Sequence, residues 1–490
     1  PLLRGETMEQ ITFSTDLESN IRLMKAIFQG DNTFVTRRAV GHKGLSCAVF
    51  FFDGMVNNIA INQSVVRPIV CSDRERATAD ELAGTILQVN DSRVETDTNK
   101  LFASFLYGDT VVFTEGDARP VVVNTKGFSV RSANEPENER VLSGPREGFT
   151  ECFMPNLALI RRRLNDKRLK FTFLRIGTRT NTVVCLCYLA GVCEHKLVSH
   201  LRRKLEALEV DSVLDANYLA ERIRDHRWTP FPTLGTTERP DVVAARLVEG
   251  RIAIVVDGSP VVLTAPFLFQ ECFQSNDDYY INFLQANLSR MLRVLGFVFT
   301  ISFPAVYVAL LLYHRELVPA RLLFAISAAQ RGVPLPVGWE TLLMLFVLEA
   351  LKEAGARTPG AMGQTMSIVG GLVLGQAAVS ARFAAAPTVI VVAIAGVTGL
   401  MVPKLQTAAL WLRFALLAAA AAYGLYGVGL ILALVLVWLC RMHSCSVPYL
   451  LNFVPRVQAE QEDAWLRAPW FFMRRDRFAV KRDLKKGDKP

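Results

Sequence analysis

The sequence predicts a cytosolic α/β region of two related subdomains, followed by an α-helical multi-span membrane domain. Three observations predict it. Uncharged apolar runs are confined to residues 294–440, strand-like and helical stretches alternate over 1–285, and a strand-and-hairpin pattern occurs twice in that first region. The expected division is 1–142 and 143–285 for the two subdomains, 286–445 for the membrane domain and 446–490 for a basic tail.

Composition sets the same frame. Of 490 residues, 51% are apolar and mean hydropathy is positive, which excludes a disordered chain, a fibrous repeat and a small disulfide scaffold. Net charge is 55 − 46 = +9, which taken alone suggests nucleic acid. Residues 1–293 hold 36 basic and 36 acidic side chains, 294–440 hold 8 and 4, and 441–490 hold 11 and 6. An excess placed within and just after the apolar part is a membrane-topology signal, and no nucleic-acid partner is expected.

In the first region AVFFFDGMV (48–56) reads as a strand ending in a Gly turn, followed by a helical stretch around Val65–Ile69. VVCLCYLAGV (183–192) repeats the unit and leads into an amphipathic helix through His200, Leu201 and Leu205. Hairpins beginning at Gly108 and Gly250 each carry a second glycine eight residues on, at Gly116 and Gly258, where a tight turn needs φ > 0. The offsets agree: 191 − 54 = 137 and 250 − 108 = 142. Between the units, Arg146 and the basic stretch with Arg161, Arg162 and Arg163 are expected to form a surface that docks acidic subunits or lipid headgroups.

Four apolar runs are long enough to cross a bilayer core of about 30 Å: 294–313, 362–381, 384–403 and 414–440. The last is long enough to tilt, and Gly424, Gly427 and Gly429 offer places to bend. Residues 318–356 hold two short apolar pieces around Pro334 and Pro336, and fit a re-entrant pair or one short broken span. Arg290 and Arg293 before the first span, and nine Lys/Arg from Arg467 to Lys489, put both termini in the cytosol. That requires an even number of spans. Four satisfy it, and six do if 406–440 divides and 341–355 crosses.

No P-loop, nucleophile elbow, zincin helix or dinucleotide fingerprint is present, so neither an enzyme nor a cofactor is expected. The nine cysteines read as reduced and buried; Cys185, Cys187, Cys193 and His195 lack metal-ligand spacing. Polar residues within the apolar part are the candidates. Glu349 and Glu353 lie a turn apart near Lys352, and Gln364, Ser367, Gly370, Gly371, Gly375 and Gln376 follow. Two readings stand: a polar path through the membrane, or an interfacial turn in which Glu349 and Glu353 pair with Lys352 and Arg357. Pro304 and Pro387 fall within apolar runs and are candidate hinges.

The chain resembles the A subunits of bacterial spore germination receptors, the GerA type, over nearly its whole length. The blocks that carry the resemblance are DGMVNNIAINQSVVRPIV (53–70), GPREGFTECFMPNLALIRRRL (144–164), TERPDVVAARLVEGRIAIVVDGSPVVL (237–263), QSNDDYYINF (274–283), LLFAISAAQRGVP (322–334) and MSIVGGLVLGQAAV (366–379). SARFAAAPT (380–388) and CSVPYL (445–450) depart from the family pattern. The resemblance implies a spore inner-membrane protein that assembles with a transporter-like B subunit and a lipoprotein C subunit. It further implies a homo-oligomer, a pentamer, that opens an ion path starting germination. Its relative encoded with the dipicolinic-acid channel genes fits the same blocks. A secondary transporter would need more spans and inverted repeats, and an inert membrane scaffold would not need polar residues at membrane depth.

Overall fold

The structure is a computed structural model. It describes residues 12–127, 136, 139, 141, 143–357, 361–451, 463 and 465–469. The chain divides into two compact units. One contains the described residues through Asp225 with Leu234–Pro266; the other contains His226–Thr233 and the described residues from Phe267 onward.

The first unit holds two five-stranded sheets. The strands are β1 (Phe34–Val40), β2 (Ser46–Phe52), β3 (Ser92–Val94), β4 (Thr110–Thr114) and β5 (Val121–Val123), then β6 (Leu169–Ile176), β7 (Thr182–Leu189), β8 (Gly235–Thr237), β9 (Ile252–Val256) and β10 (Val262–Ala265). Their orders are β1-β2-β4-β5-β3 and β6-β7-β9-β10-β8, which are the same order shifted by five strands. Every pairing in them is antiparallel. The strands that begin the matching hairpins start 252 − 110 = 142 residues apart, the offset measured between Gly108 and Gly250. Gly116 at φ +90° and Gly258 at φ +84° occupy the two hairpin turns, where a side chain would be strained.

The β2 run is nearly all apolar because helices cover both faces of its sheet. Cys47, Val49 and Phe51 pack with Ile61, Val65 and Leu82 on one side, while Ala48, Phe50 and Phe52 pack with Leu17, Met24 and Phe105 on the other. A strand buried on both faces loses its alternation. Six cysteines are buried as expected, but Cys71, Cys152 and Cys440 are exposed. Burial pushes the Cys193 thiol up to about 12, away from the thiolate a metal would need. No group of three potential ligands converges among the described residues.

The second unit is built on α1 (Phe283–Leu312), α2 (Ala320–Gln330), α3 (Val337–Arg357), α4 (Ala361–Ser380), α5 (Ala386–Gly399) and α6 (Gln406–Arg441). The stretch read as a re-entrant pair or one short broken span is instead one short helix, α2, and one continuous helix of 21 residues, α3, about 31 Å long at 1.5 Å per residue. Pro334 and Pro336 lie before its first turn, where the missing N–H costs nothing. Two helical stretches among the described residues are long and apolar enough to cross a membrane, Phe283–Leu312 and Pro403–Arg441.

The second of these is not straight. Gly424 leaves helical geometry at φ +61°, ψ −143°, and Gly427 comes to lie against the Ala419 carbonyl eight residues earlier. The chain folds back there as a helical hairpin. Tyr313, at the end of α1, donates its hydroxyl to the Ala421 and Ala422 carbonyls at 2.8 and 3.1 Å, satisfying acceptors that the break leaves without helical partners. Both open ends of the hairpin return to the 267–274 segment: Lys404 donates to the Gln274 carbonyl, and Ser444 Oγ accepts from the Phe267 N–H at 2.9 Å. A straight 36-residue helix would span about 54 Å, well beyond a bilayer core. Gly424→Ala adds a Cβ at positive φ that meets the His314 ring at 2.8 Å. It is expected to destabilise the helical unit by about 2 kcal/mol or more, read by thermal unfolding of the detergent-solubilised chain.

Candidate functional site in the helical unit

A polar layer crosses four helices. Arg413 on α6, 2% exposed, donates from Nη1 to Glu349 Oε1 on α3 at 2.7 Å and from Nε to the Thr300 carbonyl on α1 at 3.1 Å. Lys352 donates to the same Glu349 oxygen at 3.2 Å; at i and i+3 the two side chains share one helix face. Thr300 Oγ1 lies 2.8 Å from Thr398 Oγ1 on α5. The layer sets two cations against one carboxylate in the interior of a helical bundle. Removing Glu349 would therefore leave a buried guanidinium without its counter-charge. Sequence reasoning missed Arg413, although it is the one charged residue between Lys404 and Arg441, and a charge at that depth must face the bundle interior.

The other candidates separate. Glu353 is exposed and pairs with Arg357 at 2.6 Å, so it stands outside the layer, in the interfacial arrangement weighed above. Gly370 and Gly375 are packing positions: a Cβ there would meet Leu351 of α3 at 3.1 Å and Val389 of α5 at 3.6 Å. Gly371 faces open space, with nothing within 4 Å of a Cβ, and Gln376 is exposed. Gln364 and Ser367 lie where the side chains fall outside the described residues. Pro304 is buried inside an unbroken 30-residue helix. Pro387 is not inside a helix as expected: it is the second residue of α5, where proline starts a helix and hinges nothing. The break in α6 falls at Gly424, one of the three glycines at which a bend is expected.

The expected docking surface also changes. Arg161 is buried, 1% exposed, because the helix Phe153–Arg163 turns it inward. Its Nη2 donates to Asp31 Oδ2 at 2.5 Å and Thr33 Oγ1 at 3.1 Å, and its guanidinium lies between the Phe52 and Phe171 rings at 4.1 and 4.7 Å. It cannot dock a partner. Arg162 and Arg163 converge on Glu147, and Arg146 is exposed.

A second ionic cluster closes the start of α1. Asp278, fully buried, accepts from Arg290 at 3.0 Å and from Arg293 at 2.8 and 2.9 Å. Asp463 joins from the C-terminal segment, accepting from Arg290 at 2.8 Å and from the Tyr279 hydroxyl at 2.6 Å. Arg467 donates to the Asp278 and Ile281 carbonyls. The QSNDDYYINF block thus holds Asp463 and Arg467, and Arg467, counted above in the basic tail, is buried there. Burial pulls the Asp278 carboxyl up, but Arg293 and Arg290 outweigh it and hold it below the usual carboxylate range. A depressed folded pKa contributes stability above the unfolded value, lost as pH falls through the folded one. Thermal stability of the detergent-solubilised chain is therefore expected to fall below about pH 4, and Asp278→Asn to flatten that fall.

Comparison with known proteins places the chain. The model of the family described as Bacillus/Clostridium GerA spore germination protein matches residues 22–478. The chain is 36% identical over 465 residues to the uncharacterized membrane protein YfkQ of Bacillus subtilis, covering 94% of this chain and 91% of that one. It is 36% identical over 472 residues to spore germination protein KA of Bacillus subtilis (95% and 87%), and 34% identical over 463 residues to GerLA of Bacillus cereus (93% and 94%). A solved structure, the N-terminal domain of the A subunit of the Bacillus megaterium spore germinant receptor GerK3, is 29% identical with a TM-score of 0.40, over 54% of this chain and 99% of that one. By a family match that spans all but its ends, the chain belongs to the GerA family of spore germination proteins.

Proposed function

We propose that this chain is the membrane subunit of a spore nutrient-germinant receptor, that it crosses the spore inner membrane six times, and that α4 lines an ion path in a homo-oligomer, a pentamer by family resemblance. The alternating helix directions support six crossings. Gly338 of α3 lies by Val308 and Ala421, at the Tyr313 end of α1. Thr388 at the start of α5 meets Tyr307 towards that same end, while Gly296, closer to the start of α1, meets Met401 just after α5, so the two helices run antiparallel. With α4 between α3 and α5, and α6 split at Gly424, the passes are α1, α3, α4, α5 and the two arms of α6. An even count returns the basic tail to the side of Arg290 and Arg293, which the positive-inside rule assigns to the cytosol.

The observation that carries the pore assignment is the uncovered surface of α4. Gly371, Val373, Leu374 and Gln376 are exposed in a single chain, while Gly370 and Gly375 let α3 and α5 approach closely. One such helix per subunit around an axis makes a narrow, mostly apolar pore that gates by dewetting. The Glu349–Arg413 layer holds α3 and α6 in register behind it. The partners are a transporter-like B subunit, a lipoprotein C subunit and the bilayer; the role is conduction and signal transduction, with no chemical step. Gly371→Asp should wet the pore and produce ion leak or germination without nutrient. Leu434→Asp on the exposed face of α6 should only lower protein abundance. If polar substitutions at exposed α4 positions leave ion release unchanged while the protein accumulates, α4 does not line the path.

A further inference from the structure

We infer that the helical unit binds one dehydrated monovalent cation, sodium or potassium, at Glu340, at the end of the bundle opposite the Asp278 cluster. Glu340 stands in the first turn of α3 and is 1% exposed. Its Oε1 accepts the Ala385 N–H, just before α5, at 2.7 Å. Its Oε2 is buried with no hydrogen-bond partner, and no ion pair reaches it among the described residues. Arg331 and Arg382 at this end are exposed and neither pairs with it. On the same helices Val308, Leu311, Ile326, Leu345 and Val391 form one buried apolar cluster.

A buried carboxyl group with one oxygen unpartnered must either hold a proton or meet a counter-charge. The neutral oxygens beside it are hard ligands. The Tyr307 hydroxyl lies 3.1 Å from Thr388 Oγ1, three residues beyond the Ala385 N–H that Glu340 accepts. Gln330 Nε2 is itself buried without a partner; rotating that amide by a half-turn presents its oxygen instead. One carboxylate with two hydroxyls and an amide oxygen balances a single positive charge, whereas divalent ions gather several carboxylates. The site ties α1, α2, α3 and α5 together, so its occupancy stabilises that end of the bundle. The inference concerns equilibrium binding and does not rest on the chain conducting ions.

The test uses the full chain purified in detergent, at fixed pH and ionic strength, with N-methyl-D-glucamine chloride exchanged for sodium or potassium chloride. A saturable rise in Tm of about 2–4 °C is expected for one or both cations. Glu340→Gln, which keeps an oxygen for the Ala385 N–H, should abolish the rise, and Glu316→Gln on the exposed surface nearby should preserve it. Should Glu340→Gln fail to accumulate, binding of radioactive sodium or rubidium to wild-type protein replaces it, with about one ion per chain expected. An unchanged rise in Glu340→Gln overturns the inference. So does a wild-type Tm that follows pH alone and ignores both cations, since that marks a bound proton, and so does radiotracer binding no higher than background.

Discussion

Glu349→Ala is expected to destabilise the helical unit by about 3–5 kcal/mol, because it strands a buried cation. Arg413 is 2% exposed and its Nη1 bond to Glu349 is the one that carries opposite charge. Lys352 would remain beside it, adding repulsion. The double variant Glu349→Leu/Arg413→Leu removes both charges and should recover most of that loss, as apolar replacements of buried pairs do. Thermal unfolding of the solubilised chain, with its abundance in membranes, measures both. A single variant within about 1 kcal/mol of wild type would show that water already screens the pair. A double variant that is stable but fails to germinate would separate a functional role for the layer from its structural one.

The second large effect lies in the first unit. Arg161→Ala removes the counter-charge of Asp31, whose side chain is fully buried, and empties the space between the Phe52 and Phe171 rings. The expected cost is again about 3–5 kcal/mol. Arg161→Lys is not a conservative change here, because an ammonium cannot stack flat between two rings while also reaching Asp31 and Thr33. It should retain roughly half the loss, a few kcal/mol at most. Urea unfolding of the full chain, followed by aromatic fluorescence, reads both variants. If Arg161→Ala is as stable as wild type, the helix Phe153–Arg163 does not depend on this contact to hold its place.

Much of the fold is legible in the sequence because it rests on local signals. The duplicated hairpins announce themselves through glycines at turns that require positive φ, and through apolar runs long enough for buried strands. The membrane-type runs announce themselves by length. What sequence reading misplaced were the points where a local rule admits two outcomes. Pro387 lies in an apolar run, but a proline there is equally at home in a first turn, and only the start of α5 at Ala386 decides. Arg161 belongs to a basic stretch that reads as solvated; a partner 130 residues away makes it the most buried charge of its helix.

The sequence by itself determined the two-region plan, the repeat, the family, and the presence of polar residues within and beside the apolar runs. Each of these depends on composition, spacing or colinear blocks, which survive without coordinates. Only the tertiary structure decided what those polar residues meet. Glu349 pairs with Arg413 across 64 residues, Asp278 and the distant Asp463 both accept from Arg290, and Glu340 accepts the Ala385 backbone N–H. A charge in an apolar run must find a partner, but its identity depends on how helices cross, and crossing is set by small residues such as Gly370 and Gly396 that admit a neighbour's Leu351 or Leu348. The direction of α6 likewise hangs on one glycine among several. Gly424 breaks the helix because Tyr313, arriving from α1, is positioned to take up the carbonyls that the break exposes.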